Sequence, residues 1–332
     1  MSDAELHRSL PLLVGELGTI QGYQVLGGGT YNTAIAVQLD DGRELIVKLS
    51  PPRQAPGLTY EAGLLATEAD YFVRTLPSGG PVPVVYDQGS GKTPERDHLV
   101  MSRLPGRAWS ELKGSATPSA ADGVRHQLGR IAALAHRAPC DGFGYMFERH
   151  DLRGPTWPAA FTRMMGAVLG DAARYEVLPP TTADRIRGLV SGWTPALAEV
   201  ERPALVHFDL WDGNVLVEGD GDDLTVSGII DAERAFYGDP AFEFPSLSVY
   251  SPRLKDDDFV IDETFAAGYQ ESGGTLEVTS NLRARVALYR IYLYVIMLTE
   301  IVPRQIDGED RAWRQRECQA ILDQQMRLLS AG

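Results

Sequence analysis

Cysteine, lysine and long apolar runs are all scarce in this 332-residue chain, and each scarcity excludes something. Two cysteines, Cys140 and Cys318, build no disulfide framework and match no metal-ligand spacing. They fit ordinary thiols in a reducing compartment. The longest strongly apolar stretch, Ile291 to Thr299, lies between Arg290 and Glu300 and is about half of what a bilayer requires. Met1-Ser2-Asp3-Ala4-Glu5 shows neither the basic nor the apolar region of a signal peptide. These features predict a cytoplasmic chain with no membrane partner. Basic charge is also short: 31 Lys and Arg against 45 Asp and Glu leave a net charge of -14, the opposite of a nucleic-acid footprint. Only Lys48, Lys92, Lys113 and Lys255 are lysines, so a lysine inside an apolar run stands out.

What remains is of ordinary globular composition, 44% hydrophobic and 23% charged, and long enough for two domains. The first hundred residues read mainly as strands: Tyr23–Leu26, Ala34–Leu39, Glu44–Leu49, Pro81–Tyr86 and His98–Met101. Asp41-Gly42 supplies a hairpin turn, and Pro51-Pro52 stops the third strand. Between Tyr60 and Leu76 the apolar residues recur at helical spacing. After Pro105-Gly106, helical periodicity dominates, at 120–138, 159–173, 182–200 and from about Phe259 onward. A strand-rich island interrupts it at 204–232. The expected architecture is α+β. A small antiparallel-sheet lobe with one helix spans 1–100, a connecting segment spans 101–106, and a large, mostly helical lobe spans 107–332. A cleft between such lobes is a natural ligand site.

The island carries the chemistry. His207-Phe208-Asp209-Leu210-Trp211-Asp212-Gly213-Asn214 follows one short apolar run, and Asp231 closes another, Gly228-Ile229-Ile230. Phosphoryl transfer to a hydroxyl needs a carboxylate to accept the hydroxyl proton and oxygen ligands to hold magnesium on the phosphates. In protein kinases these are an Asp, an Asn five positions on, and a second Asp downstream. Asp209, Asn214 and Asp231 keep that order and spacing. Asp-Gly-Asn by itself is only turn chemistry. Lys48, inside Leu45-Ile46-Val47-Lys48-Leu49, strengthens the pattern, because a buried ammonium needs a partner or a phosphate.

These segments resemble the aminoglycoside phosphotransferase family, a kinase-like group related to choline and fructosamine kinases. Its catalytic loop is similar to His207–Asn214. Its metal-binding segment is similar to Ile230-Asp231-Ala232-Glu233 with Gly238-Asp239-Pro240. The likeness extends over most of the chain, through the lysine strand, the hinge-like Met101–Gly106 and Leu134-Ala135-His136. It implies a bilobal protein-kinase-like fold and an ATP-dependent small-molecule kinase, with GTP as the alternative nucleotide. By the same resemblance Asp209 orients or deprotonates the acceptor hydroxyl, and Asn214 and Asp231 hold Mg2+. Lys48 holds the nucleotide phosphates and pairs with a helix Glu, for which the sequence offers Glu61 and Glu68. Glu68 is favoured by its place in mid-helix. Gly27 to Asn32, with Gly28, Gly29, Thr30 and Asn32 foremost, would cover the phosphates, and Met101 and Arg103 would line the adenine site.

His207 is expected to shape its loop rather than titrate, and Asp239 to brace it. The stripe Arg283, Arg285, Tyr289, Arg290, Tyr292 and Tyr294 reads first as packing plus a solvated face and second as a substrate wall. Asp212, Glu233 and Glu243, acids near the loop, suggest a cationic acceptor. An aminoglycoside or other basic antibiotic leads, with resistance by phosphorylation as the role. Glu233 also suits a further metal-side group, and Glu243 stands where relatives often carry Asp. Sugar, fructosamine-type and choline-type acceptors remain open, as does a catalytically silent nucleotide-binding protein. A protein kinase is disfavoured by His-Phe-Asp and by the lack of Asp-Phe-Gly and Ala-Pro-Glu segments. The expected state is a monomer or weak dimer.

Overall fold

The structure, a computed structural model, describes residues 3–27, 31–93, 96–147, 150–256 and 259–331. Five strands form the N-terminal sheet: β1 (Ile20–Val25), β2 (Thr33–Leu39), β3 (Glu44–Leu49), β4 (Val85–Thr93) and β5 (Arg96–Ser102). Their order is β1-β2-β3-β5-β4, antiparallel throughout. The Asp41-Gly42 turn joins β2 to β3, with Gly42 at φ +86°. The fourth strand begins later than the sequence suggested, at Val85 rather than Pro81. Pro81 and Pro83 cannot donate to a ladder, so pairing starts only beyond them.

Two helices flank this sheet, where one was expected. Helix α1 (Asp3–Val14) places Leu6, Leu10, Leu13 and Val14 on the face made by Ile35, Val37, Leu39, Leu45, Val47 and Leu49. The spacing 6, 10, 13, 14 is itself a helical stripe, and it was legible in the sequence. Helix α2 (Leu64–Thr75) packs the opposite face, near β4 and β5. It starts four residues later than Tyr60. Gly63 adopts a left-handed φ of +71° and separates α2 from a 3-10 turn, Thr59–Glu61.

The chain leaves β5 at Ser102 and joins a second sheet through Arg107–Ala108, which pairs with Val215–Glu218. Gly106 is required at this crossing: its φ is +101°, and a Cβ there would sit 2.8 Å from the Val217 carbonyl oxygen. Helices Pro118–Ala135, Trp157–Arg174, Pro180–Gly192, Glu263–Glu271, Ser280–Glu300 and Gly308–Ala331 make up most of the remainder. Helix Ser280–Glu300 is buried almost all round, so the expected solvated face does not exist. Arg285 instead pairs with Asp239 (2.8 Å) and Glu199 (2.6 Å), and Tyr289 donates to Asp239 (2.7 Å). One apolar core runs from α2 through the helical part, and a smaller one lies under α1. Among the described residues no helix is long and apolar enough to cross a membrane.

Candidate active site

Strand alternation aims Lys48. Leu45, Val47 and Leu49 face α1, so Lys48 points the other way, toward α2. Its Nζ donates to both Glu68 carboxylate oxygens, at 2.7 and 2.9 Å, and to Asp231 Oδ1 at 2.6 Å. Glu68 is fully buried, at 0% exposure. Burial opposes the lysine's charge, yet Asp231 and Glu68 hold its pKa above the ordinary value. Burial also pushes Glu68 up, to about 7 against the pull of Lys48, while Lys48 keeps Asp231 low despite its desolvation.

The carboxylates of Glu68, Asp231 and Glu233 offer oxygens within 4.8 Å of one another. Burial and the neighbouring Asp231 raise Glu233 to about 8. Ionised together, three acids against one lysine would carry excess negative charge, and a hard divalent cation with oxygen ligands would offset it and favour their ionised forms. The donor set therefore fits magnesium. Asn214 adjoins it: the Val215–Ile229 pairing sets the two strands side by side, and Ile230 N–H donates to the Asn214 carbonyl at 3.1 Å.

The loop bearing Asp209 is held from several sides. His207 Nδ1 accepts from Asp209 N–H (3.2 Å) and Nε2 faces the Ile230 carbonyl (3.1 Å), so the bonding pattern calls for a neutral ring protonated on Nε2. Burial lowers the His207 pKa, in keeping with that form. Its ring also meets Tyr71 of α2 edge-on at 5.1 Å. Phe208 is left-handed (φ +67°) and wholly buried, with ring contacts to Phe236, Phe242 and Tyr292. That strained residue turns Phe208 into the core and the next residue, Asp209, out of it. Asn214 Nδ2 donates to the Asp209 carbonyl (2.8 Å). Burial and Asp231 raise Asp209 to about 6, although Arg234 pulls it down.

The other expected site residues divide. Gly28, Gly29 and Thr30 lie outside the described residues. Asn32 donates to Glu233, and Tyr31 lies under the Arg304 guanidinium at 5.7 Å. Met101 is buried in β5. Arg103, expected at the adenine site, follows β5 directly. Its side chain pairs with Glu44 (3.3 Å), and the N–H groups of Ser102 and Arg103 donate to the carbonyls of Val84 and Glu44. The three acids expected to attract an acceptor all have partners within the protein. Asp212 pairs with Lys113 (2.6 Å) and Arg125 (3.3 Å). Glu233 belongs with the Asp231 cluster. Glu243 is 1% exposed and accepts from the backbone N–H groups of His207 (2.7 Å) and Phe208 (3.1 Å), so it braces the catalytic loop from below. Asp239 caps the following turn by accepting from Ala241 N–H, as expected.

Sequence reasoning missed a buried ionic chain beside Asp209. Arg234 pairs with Glu300 (2.6 Å), Glu300 with Arg304 (3.0 Å), and Arg304 with Glu61 (3.0 Å). Position after Asp231-Ala232-Glu233 was the only cue to Arg234. Glu61 is thus on its own turn, off the α2 helix, and pairs with Arg304 rather than Lys48. Glu68→Gln is therefore expected to lower kcat/KM for the nucleotide by about 10–100-fold, the scale of a lost charge-assisted contact. Glu61→Gln should instead lower Tm with a much smaller kinetic effect. Steady-state kinetics and melting curves of both variants check this, and the reverse ranking would overturn it.

Comparison with known proteins supplies the family. A fold search finds a protein of Thermobifida fusca assigned as a fructosamine-3-kinase (23% identity, 95% of this chain and 99% of that one, TM-score 0.64). It also finds the GDP complex of aminoglycoside 2'-phosphotransferase-IIIa (15% identity, 98% and 99% covered, TM-score 0.65). A third is a microcompartment-associated aminopropanol kinase (17% identity, 97% and 98% covered, TM-score 0.63). These likenesses establish the bilobal kinase-like fold. A search of curated proteins gave no match. The model of the phosphotransferase enzyme family, APH, matches residues 22–289, and the chain belongs to that family.

Proposed function

We propose that this kinase transfers the γ-phosphate of ATP to a hydroxyl of a small molecule, with Asp209 as the residue that receives the hydroxyl proton. The carrying observation is the convergence of Lys48, Glu68 and Asp231 at 2.6–2.9 Å beside the held loop of Asp209 and Asn214. Lys48 binds nucleotide phosphates, its charge enforced by Glu68. Asn214 and Asp231 hold magnesium, which when bound neutralises charge on the phosphates. Asp209 orients the acceptor; the acceptor's hydroxyl oxygen bonds to γ-phosphorus, the bond from γ-phosphorus to the β-phosphate oxygen breaks, and the hydroxyl proton passes to Asp209. ADP and a phosphate ester leave. We place the reaction in the cytoplasm, where ATP is abundant and Cys140 and Cys318 stay free.

The expectation of a cationic acceptor leaned on Asp212, Glu233 and Glu243, whose partners now absorb them. An antibiotic acceptor is therefore one arm of the test and not its premise. A coupled assay of ADP release over aminoglycosides, macrolides, sugars, fructosamines and amino alcohols tests the reading. Acceptor-dependent release is expected with at least one class, and none with any class would count against it.

A pH profile follows from Asp209. The base works ionised, and burial has raised its pKa to about 6. In the free enzyme kcat/KM should fall tenfold per unit below about pH 6. An acid limb near pH 4, the range of an ordinary carboxylate, would show that Asp209 is not the titrating group.

A further inference from the structure

A cavity of about 880 Å³ opens beside the catalytic loop, with Trp211 and Asp212 in its wall. The helix Pro118–Ala135 contributes Arg125, the segment after Phe244 contributes Ser246 and Ser248, and the helix Ser280–Glu300 contributes Arg290. Ser246 ties the cavity to the loop, because its Oγ accepts from Leu210 N–H at 3.0 Å.

Charge in this cavity changes with depth. Asp122 and Glu263 are exposed at its edge, as are Lys113 and Arg253. Further in, Asp212 is matched by Lys113 and Arg125. Asp262 is matched by Arg125 (3.1 Å) and also caps the next helix by accepting from Phe265 N–H (2.9 Å). Arg290 is different. It is 1% exposed and has no carboxylate partner among the described residues. Its Nη2 reaches only the Ser248 hydroxyl (3.4 Å) and the Val260 carbonyl, while Nε and Nη1 meet no acceptor. Arg125 Nη1 meets none either. Burying a guanidinium without a counter-ion is costly. Desolvation pulls the Arg290 pKa down to about 10, still high enough to keep the charge at neutral pH. The deep end of the cavity thus holds one guanidinium without a counter-ion, Arg290, and one free N–H group on Arg125, which Asp212 and Asp262 share.

We propose that this cavity takes an anionic acceptor, a hydroxyl-bearing organic acid or phosphate ester whose carboxylate or phosphate is held by Arg290 and Arg125. The proposal rests on the reading of Asp209 as the phosphotransfer base, since the hydroxyl of the bound anion must reach it. A planar guanidinium offers paired N–H donors that match carboxylate or phosphate oxygens. Trp109, Trp211 and Phe244 line the same cavity and suit a carbon skeleton or sugar ring.

Tryptophan fluorescence provides a binding readout independent of turnover, because the Trp211 ring at the cavity wall is 43% exposed. The probes are gluconate, glucose 6-phosphate and glucosamine, three hydroxylated molecules differing in charge. Saturable binding of at least one anion, tighter than that of glucosamine, is expected. Which anion binds separates carboxylate from phosphate. Arg125→Gln and Arg290→Lys should each weaken it roughly 10–100-fold, the cost of losing charge-assisted bonds. Should Arg290→Lys fail to fold, the more exposed Arg125→Gln decides. Tighter binding of glucosamine, no saturation with either anion, or wild-type affinity in the folded variants would overturn the proposal. Transfer from ATP is scored separately on the same three compounds. Transfer to glucosamine alone would remove the anion and leave the kinase reading intact. Anion binding with no transfer to either anion would overturn the acceptor role.

Discussion

Asp209→Asn is expected to lower kcat by about 10²–10⁴-fold, the usual worth of a positioned general base, while nucleotide affinity stays close to wild type. In the proposed role Asp209 acts on the acceptor hydroxyl, where its contribution is largest as the proton moves, so the loss should fall on kcat and kcat/KM together. The proposed nucleotide side of the site is Lys48 with its partners Glu68 and Asp231, and the bonds that hold Lys48 do not involve the Asp209 carboxylate. The loop should keep its shape in the variant. It is held by the Asp209 main chain, through N–H to His207 and carbonyl to Asn214, and by Glu243 beneath it. Steady-state kinetics with calorimetric nucleotide binding check this, and near-normal turnover would remove Asp209 from the mechanism.

Asp231→Ala and Asn214→Ala should act through magnesium. Each is expected to need at least 10–100-fold more magnesium for half-maximal rate, a span that even outer-shell partners of a metal carry. Asp231→Ala has a second effect, because it also removes one of two partners of Lys48 and leaves that lysine on Glu68 alone. Its defect should therefore exceed that of Asn214→Ala and persist in part at saturating magnesium. Magnesium titrations of both variants check this. Unchanged titrations in both would put the metal site elsewhere.

Candidate site residues at the ends of short apolar strands could be placed from sequence because their spacing is fixed by the turns between them. Asp209, Asn214 and Asp231 are of this kind, and so is Lys48, which strand alternation turns away from Leu45, Val47 and Leu49. Glu68 was separable from Glu61 by its place in the amphipathic run, although the reason differs from the expected one. Gly63 breaks the helix, so Glu61 is on another element altogether. The partners of the acids read as an acceptor surface were not legible, because sequence shows charge but not pairing. Glu243 turned inward under His207, and Lys113 and Arg125, distant in sequence, matched Asp212. Arg290 was named only within a stripe of packing residues, and its burial without a carboxylate was not legible, because that depends on neighbours distant in sequence. Helix α1 was not among the expected elements, although Leu6, Leu10, Leu13 and Val14 carry its apolar stripe.

The most direct test of the account is a single-turnover incubation of the wild-type protein with magnesium and γ-labelled ATP in the presence of an acceptor found by the panel. The account predicts that the label leaves ATP and appears in a phosphate ester of the acceptor hydroxyl, and that Asp209→Asn forms that ester at least 100-fold more slowly. Label appearing only as inorganic phosphate, or ester formed equally fast by Asp209→Asn, would contradict it.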